Sequence, residues 1–356
     1  MARPIRATVH LSALRRNLAV ARARAPATQL MAVVKANAYG HGLLRSARAL
    51  DAADGYAVLE IEAAMRLRDS GVERRILMLE GFFDANELPL LCVRRISTVV
   101  HNVEQVRMLE LPRLPQPISV FLKINTGMNR LGFRPDALRQ VVERLRACGN
   151  VSEITAMTHF ACADDEHGID WQLRRFEQAT IGMALPASLA NSATLLRYPQ
   201  AARDWARIGI MLYGCSPLPA VTAAELGLEP AMTLSSALIA VHDLDAGERV
   251  GYGATFVAPS RMRIGIVACG YADGYPRHAP TGTPVLVDGR RTRTLGRVSM
   301  DMLCVDLTEL PQAQVGKPVV LWGQGMPVEE VAAAAGTISY ELLCALAQRV
   351  PVVEQP

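Results

Sequence analysis

Five apolar runs in this 356-residue chain end on side chains capable of chemistry: Lys35, Lys123, His159, the pair Asn191-Ser192, and Arg207. Lys35 is the sharpest, because Met31-Ala32-Val33-Val34 stops abruptly on it and Ala36-Asn37-Ala38-Tyr39-Gly40-His41-Gly42 follows. A lysine at the end of a buried run loses hydration, which lowers its pKa from ~10.4 and frees the amine for a Schiff base. A lysine snorkelling from a rim fits the same position. No GxxxxGK loop is present to cradle a phosphate. The seven cysteines are scattered, odd in number and form no CxxC pair, so reduced thiols and no metal are expected.

These residues need elements to position them. Eight strands are predicted, at Leu30 to Lys35, Gly55 to Leu59, Arg75 to Leu79, Ser97 to Val100, Val120 to Ile124, Ile154 to His159, Ala187 to Asn191 and Asp204 to Ile210. Helical periodicity lies between them at Leu43 to Ala53, Ile61 to Asp69, Ala137 to Ala147 and Trp171 to Met183, with Asp136 and Asp170 as helix-start signals. Eight such units in roughly 230 residues fit an α/β fold with an N-terminal (β/α)8 TIM-like barrel better than an open doubly wound sheet. In such a barrel the site lies at the carboxyl ends of the strands, where the five polar positions fall.

From about Glu229 the texture becomes that of a C-terminal mainly-β domain. Strands are expected at Met232 to Ala240, Arg263 to Ala268, Pro284 to Val287, Met302 to Asp306 and Pro318 to Trp322, with Asp288-Gly289 as a hairpin turn. Helical pattern returns near Val328 to Ala335 and Tyr340 to Ala347. The expected division is an N-terminal strand over 1–10 that pairs with the C-terminal domain, a barrel over 11–228, and the β domain over 229–356.

Composition narrows the class. Half the residues are hydrophobic and 20% are charged, which excludes whole-chain disorder. A net charge of +4 is weak ground for a nucleic-acid partner, and no apolar run approaches the ~20 residues of a membrane span. The acid-free, arginine-rich first 50 residues read as a basic surface in preference to a transit peptide, so a cytoplasmic protein is expected.

Val33-Val34-Lys35-Ala36-Asn37-Ala38-Tyr39-Gly40-His41-Gly42 resembles the cofactor-attachment motif of bacterial alanine racemases. Further segments resemble the family in order: Lys123 to Phe133, Thr158 to Ala161, Asn191-Ser192, Arg207 to Gly214, Gly251 to Ala254, Gly270 to Gly274, Gly296 to Asp301 and Ile338 to Glu341. The resemblance covers essentially the whole chain. It implies a pyridoxal 5′-phosphate enzyme interconverting L- and D-alanine, as a homodimer with shared active sites, for D-alanine supply to peptidoglycan or for alanine catabolism.

The same resemblance implies roles. Lys35 would carry the cofactor and act as base on one face of Cα; Tyr252 of the partner subunit would serve the other. Arg207 would face the pyridine nitrogen, with His159 beside it. Tyr39, Ser192, the backbone around Gly209 and Ile210, and Tyr340 would hold the phosphate. Arg130 and the backbone of Met300 would bind the substrate carboxylate, and Lys123 would be carbamylated or face a bound anion. Tyr271, Arg297 and Asp301 would form the entrance and its support. Asn125 and Asn129 stand where relatives often have Asp and Gly. Barrel-plus-β decarboxylases, a non-catalytic cofactor carrier and a broad-specificity racemase are the alternatives; Arg207 and Tyr252 point away from the first.

Overall fold

The computed structural model describes residues 3–111 and 113–356. Strand β1 (Arg6–His10) leads into a helix over Leu11–Arg24, and eight strands then close into a parallel barrel. They are β2 (Gln29–Val33), β3 (Gly55–Val58), β4 (Arg75–Met78), β5 (Ile96–Val100), β6 (Ile118–Lys123), β7 (Val151–Met157), β8 (Ala187–Ser188) and β9 (Trp205–Ile208). Closure is made by β9 on β2, where Met31 pairs with Arg207. These runs are buried on both faces, which is why they read as continuous apolar stretches. Near the amino end of the barrel Arg75 pairs with Glu153 and lies over the rings of Phe121 and Trp205 at 5.8 and 5.3 Å.

The eight predicted strands are present, and their ends are corrected by local hydrogen bonding. β8 stops at Ser188, not Asn191, because the Ala190 carbonyl turns to accept the Arg207 backbone N–H and Asn191 caps the next helix, Ser192–Arg197. β9 starts after Asp204, whose carboxylate accepts the Ala187 N–H at 2.8 Å, and ends before Gly209. β2 ends at Val33, two residues before Lys35. Asp136 lies inside a 3-10 turn over Pro135–Ala137 and Asp170 is itself the first helical residue, so neither is an N-cap.

The second layer is an eight-stranded sheet that takes in β1. Its remaining members are β10 (Met232–Leu244), β13 (Met262–Val267), β14 (Pro284–Val287), β15 (Arg290–Leu295), β16 (Leu303–Asp306), β17 (Pro318–Trp322) and β18 (Val352–Gln355); β11 (Arg249–Val250) and β12 (Phe256–Val257) form a separate ribbon. β1 runs antiparallel to β10 and parallel to β18. β10 is longer than its apolar run because it bulges between Leu238 and Ala240 and carries on through exposed polar residues to pair with β13. Asp288 and Gly289, both at positive φ, make the two-residue turn between β14 and β15.

The arginine-rich start is built into this core through Ile5, Ala7, Val9, Leu14 and Leu18. All seven cysteines are unpaired thiols. No helix among the described residues is long and apolar enough to cross a membrane.

Candidate active site

Lys35 opens a segment with an uncommon backbone. Ala36, Asn37, Ala38 and Tyr39 all have φ between 49° and 55°, one turn of left-handed helix closed by Gly40 at 80°. L-residues enter that region at roughly 1–2 kcal/mol each, so the turn persists only because its surroundings over-determine it. Asn37 Oδ1 accepts the Leu43 N–H at 2.9 Å and its carbonyl accepts the Gly42 N–H at 2.8 Å. The His41 Nδ1–H donates to the carbonyls of Ala38 and Tyr39, and burial holds this ring neutral by pushing its pKa down to about 4. The Tyr39 ring stacks on buried Tyr213 at 4.6 Å, and Tyr213 donates to the Val33 carbonyl. The chain is thereby reversed at the end of β2, with Lys35 and Tyr39 facing one cavity.

That cavity, of about 400 Å³, opens at the carboxyl ends of the barrel strands. Lys35, Tyr39, Lys123, Arg130, His159, Ser192, Arg207, Gly209, Ile210 and Tyr340 all line it. Four of these are cations by type, against one lining carboxylate, Glu80. Arg207 is buried and satisfied by neutral acceptors: Nη1 donates to the Ser188 carbonyl and Oγ at 2.7 Å, and Nη2 to the Thr158 carbonyl at 2.8 Å. Burial lowers this guanidinium to about 10, which leaves it charged near neutral pH. His159 Nδ1 lies 3.4 Å from Nη2, and burial, followed by the charges of Arg207, Lys123, Arg130 and Lys35, drives its pKa down to about 3. His159 is therefore a neutral neighbour and not a second cation.

Buried Lys123 ends β6, and its amine falls to about 8, first through burial and then through Arg207 and Arg130, with Glu80 opposing. It forms no ion pair among the described residues. The phenols of Tyr39 and Tyr340 are raised well above their ordinary value, chiefly by burial, so both remain O–H donors. Ser192 Oγ accepts the Gly209 N–H at 3.0 Å, and the Ile210 N–H opens a 3-10 turn without an intrahelical acceptor. A Cβ at Gly209 would come 2.7 Å from Tyr39 Oη, so any larger residue there must displace that hydroxyl. Hydroxyl and backbone amide donors of this kind suit a dianionic phosphate. The lysine suits an aldehyde. The donor set thus fits pyridoxal 5′-phosphate.

The other sequence candidates lie elsewhere. Tyr252, Met300 and Tyr271 are 70%, 52% and 39% exposed, and with Arg297 and Asp301 they stay outside the lining of this cavity. Tyr252 sits in a 3-10 turn, Tyr252–Ala254, against which Arg297 packs so tightly that a Cβ on Gly253 would reach 2.6 Å from Nη1. Asp301 accepts from Arg349 at 2.6 Å. Asn125 Oδ1 accepts the N–H groups of Gly127 and Asn129, and Asn129 takes positive φ.

Sequence reasoning missed Glu80, although it follows β4 as Lys35 follows β2. It also missed Cys344 in the lining, and the buried Asp273, whose carboxylate gathers Arg3, Arg349 and the Gly270 N–H. Asn191, to which it gave no role, caps the Ser192 helix through the Thr194 N–H.

Fold and site together define a two-domain barrel enzyme that presents a lysine amine beside an anion cradle. Residues 9–217 match the family model for the alanine racemase N-terminal domain and residues 231–354 that for the alanine racemase C-terminal domain. The chain is 58% identical over 352 residues to an alanine racemase of Nitrosospira multiformis, across 98% of this chain and 99% of that one. Identity is also 58% over 360 residues with the alanine racemase of Nitrosomonas europaea, across 99% of each chain. The fold superimposes on the crystal structure of the biosynthetic alanine racemase from Pseudomonas aeruginosa with a TM-score of 0.97 at 50% identity, over 99% of this chain and 100% of that one. This chain belongs to the alanine racemase family.

Proposed function

We propose that this chain racemises alanine with pyridoxal 5′-phosphate, as a cytoplasmic homodimer whose two active sites are each completed by the neighbouring subunit. The observation that carries the reading is Arg207, a buried guanidinium bonded to carbonyl and hydroxyl oxygens and, among the described residues, to no carboxylate. Placed against the pyridine nitrogen of the cofactor, such a guanidinium would disfavour a proton there, whereas enzymes that need the strongest electron sink put a carboxylate in that place.

Bound in this cavity, the cofactor supplies the electron sink that acidifies a substrate Cα–H. Lys35 would be its covalent anchor, and its amine would take or return the Cα proton at Nζ on one face. Tyr252 is 70% exposed and outside its own chain's cavity, which suits a group offered to the neighbour's site on the opposite face. Arg297, packed on the Tyr252 turn, braces the segment that carries this tyrosine. Tyr39, Ser192, Gly209, Ile210 and Tyr340 would hold the phosphate. Arg130, with the partner subunit's Met300 N–H, orients the substrate carboxylate. Tyr271 and Asp301 narrow and brace the mouth, which restricts substrates to small amino acids. The working division is 11–228 for the barrel, and 229–356 with 1–10 for the β unit.

An absorbance spectrum of the purified protein, followed by chiral assay against alanine, serine, lysine and arginine, tests this. Cofactor absorbance with alanine racemised fastest is expected. A cofactor-free protein, or faster turnover of a basic amino acid, overturns it.

A further inference from the structure

The loop after His159 gathers three groups of different chemistry at one point. Cys162 Sγ, an Asp165 carboxylate oxygen and a His167 ring nitrogen lie within 4.8 Å of one another. His167 Nδ1 is 3.1 Å from Asp165 Oδ1, and the His167 backbone N–H donates to that same oxygen at 2.8 Å. Cys162 is half-buried, while Asp165 and His167 are exposed. The loop is held in shape from both sides. Arg197 donates to the Asp165 carbonyl, the Ala161 N–H donates to Gln172 Oε1 at 2.7 Å, and Gly168, at φ 62°, sits where a Cβ would come 2.9 Å from the Tyr198 hydroxyl.

This cluster neighbours the active-site cavity without belonging to its lining. Cys162 follows His159 by three residues, Arg197 ends the helix that Ser192 begins, and the Asp164 carboxylate acts on the Tyr340 phenol. Thiolate, imidazole and carboxylate are the donors that zinc takes in tetrahedral sites, and the sulfur argues against calcium or magnesium. Zinc bonds of about 2.0–2.3 Å place tetrahedral donors about 3.3–3.8 Å apart, so closing the cluster asks for a movement of only about 1 Å.

We propose that Cys162, Asp165 and His167 form a zinc site at the mouth of the cavity, with the fourth position open, and that its occupancy restricts substrate entry. Binding forms a Zn–S bond and releases the thiol proton to water, while Asp165 and His167 donate existing lone pairs; no oxidant or reductant is involved. This departs from the metal-free protein expected from sequence, because the C-x2-D-x-H spacing of this loop is not one of the paired-cysteine patterns by which structural zinc is read.

Cobalt chloride titrated into the holoenzyme should produce a thiolate-to-cobalt charge-transfer band in the difference spectrum, saturating at one ion per chain and displaced by zinc. The band should vanish in Cys162→Ser. Zinc affinity should fall at least about 10-fold in both Cys162→Ser and His167→Asn, the minimum expected when even an outer partner of a metal site is lost. No thiolate band, or equal zinc affinity in the wild type and both variants, overturns the site. The entrance role rests on the racemase reading and is measured separately: saturating zinc should raise the KM for alanine in the wild type and not in Cys162→Ser. An unchanged KM at full occupancy overturns that role, whereas the cobalt band does not depend on which reaction the enzyme performs.

Discussion

Replacing Gly209 by alanine puts the phosphate cradle to a steric test. The added Cβ would lie 2.7 Å from Tyr39 Oη, 3.4 Å from Tyr39 Cζ and 3.7 Å from Val33 Cβ. Ordinary contacts are about 3.5 Å, so the hydroxyl must retreat by roughly 0.8 Å. The tip of a side chain usually can, but Tyr39 is 7% exposed, stacked on Tyr213 at 4.6 Å and carried on a backbone already at φ 49°. Its hydroxyl would therefore be displaced from the proposed phosphate position. A hydrogen bond to a charged group is worth about 1.5–3 kcal/mol, which is roughly 10- to 150-fold in cofactor affinity. Titration of apoenzyme with pyridoxal 5′-phosphate, followed by absorbance, measures this directly. Tyr39→Phe loses the same bond and also removes the clashing atom, so the double variant should bind little worse than either single one. Affinity of Gly209→Ala within about twofold of the wild type, or losses that simply add in the double variant, would refute the reasoning.

Mixing Lys35→Ala and Tyr252→Phe chains, each inactive alone, should restore activity, because one site of each heterodimer keeps both groups; heterodimers that form yet stay inactive would exclude shared sites. Lys123 should be carbamylated: an amine near 8 is partly neutral, forms an N–C bond to CO2 and releases a proton, leaving an anion among Arg130 and Arg207. Intact mass and 13C NMR in labelled bicarbonate decide this, a bare amine with no bound anion being the contrary result. Asp273→Asn should cost about 2–3 kcal/mol at neutral pH, through charge-assisted bonds lost to Arg3, Arg349 and the Gly270 N–H. Burial opposes ionisation of Asp273, but those bonds together hold its carboxyl below the ordinary value. Its contribution is thus complete above ~3.9 and lost as pH falls through the lower folded value, so denaturant melts of Asp273→Asn should show a shallower acid decline. An acid arm as steep as that of the wild type would contradict this.

The barrel was legible because strands buried on both faces must be continuously apolar, and each run announces itself by the polar residue that ends it. Lys35, Lys123, His159, Ser192 and Arg207 could be named on that ground, and Asp288-Gly289 marked its own turn. Strand ends were less legible: whether Leu189 and Ala190 extend β8 or offer carbonyls to Arg207 depends on a residue seventeen or more positions away, and no local propensity records that. The left-handed turn over Ala36–Tyr39 was hidden for the same reason. Two of its residues are alanines, which locally favour the right-handed helix, and only Tyr213, His41, Asn37 and the close approach of Leu343 to Gly40 make the opposite hand the stable one. Residue types and their order therefore identified the family and the barrel, and named most of the residues that line the cavity. The tertiary structure alone decided that ten of those residues share a 400 Å³ cavity while Tyr252 and Met300 face outward, and that Cys162, Asp165 and His167 converge, because charge, burial and proximity are properties of the packed chain.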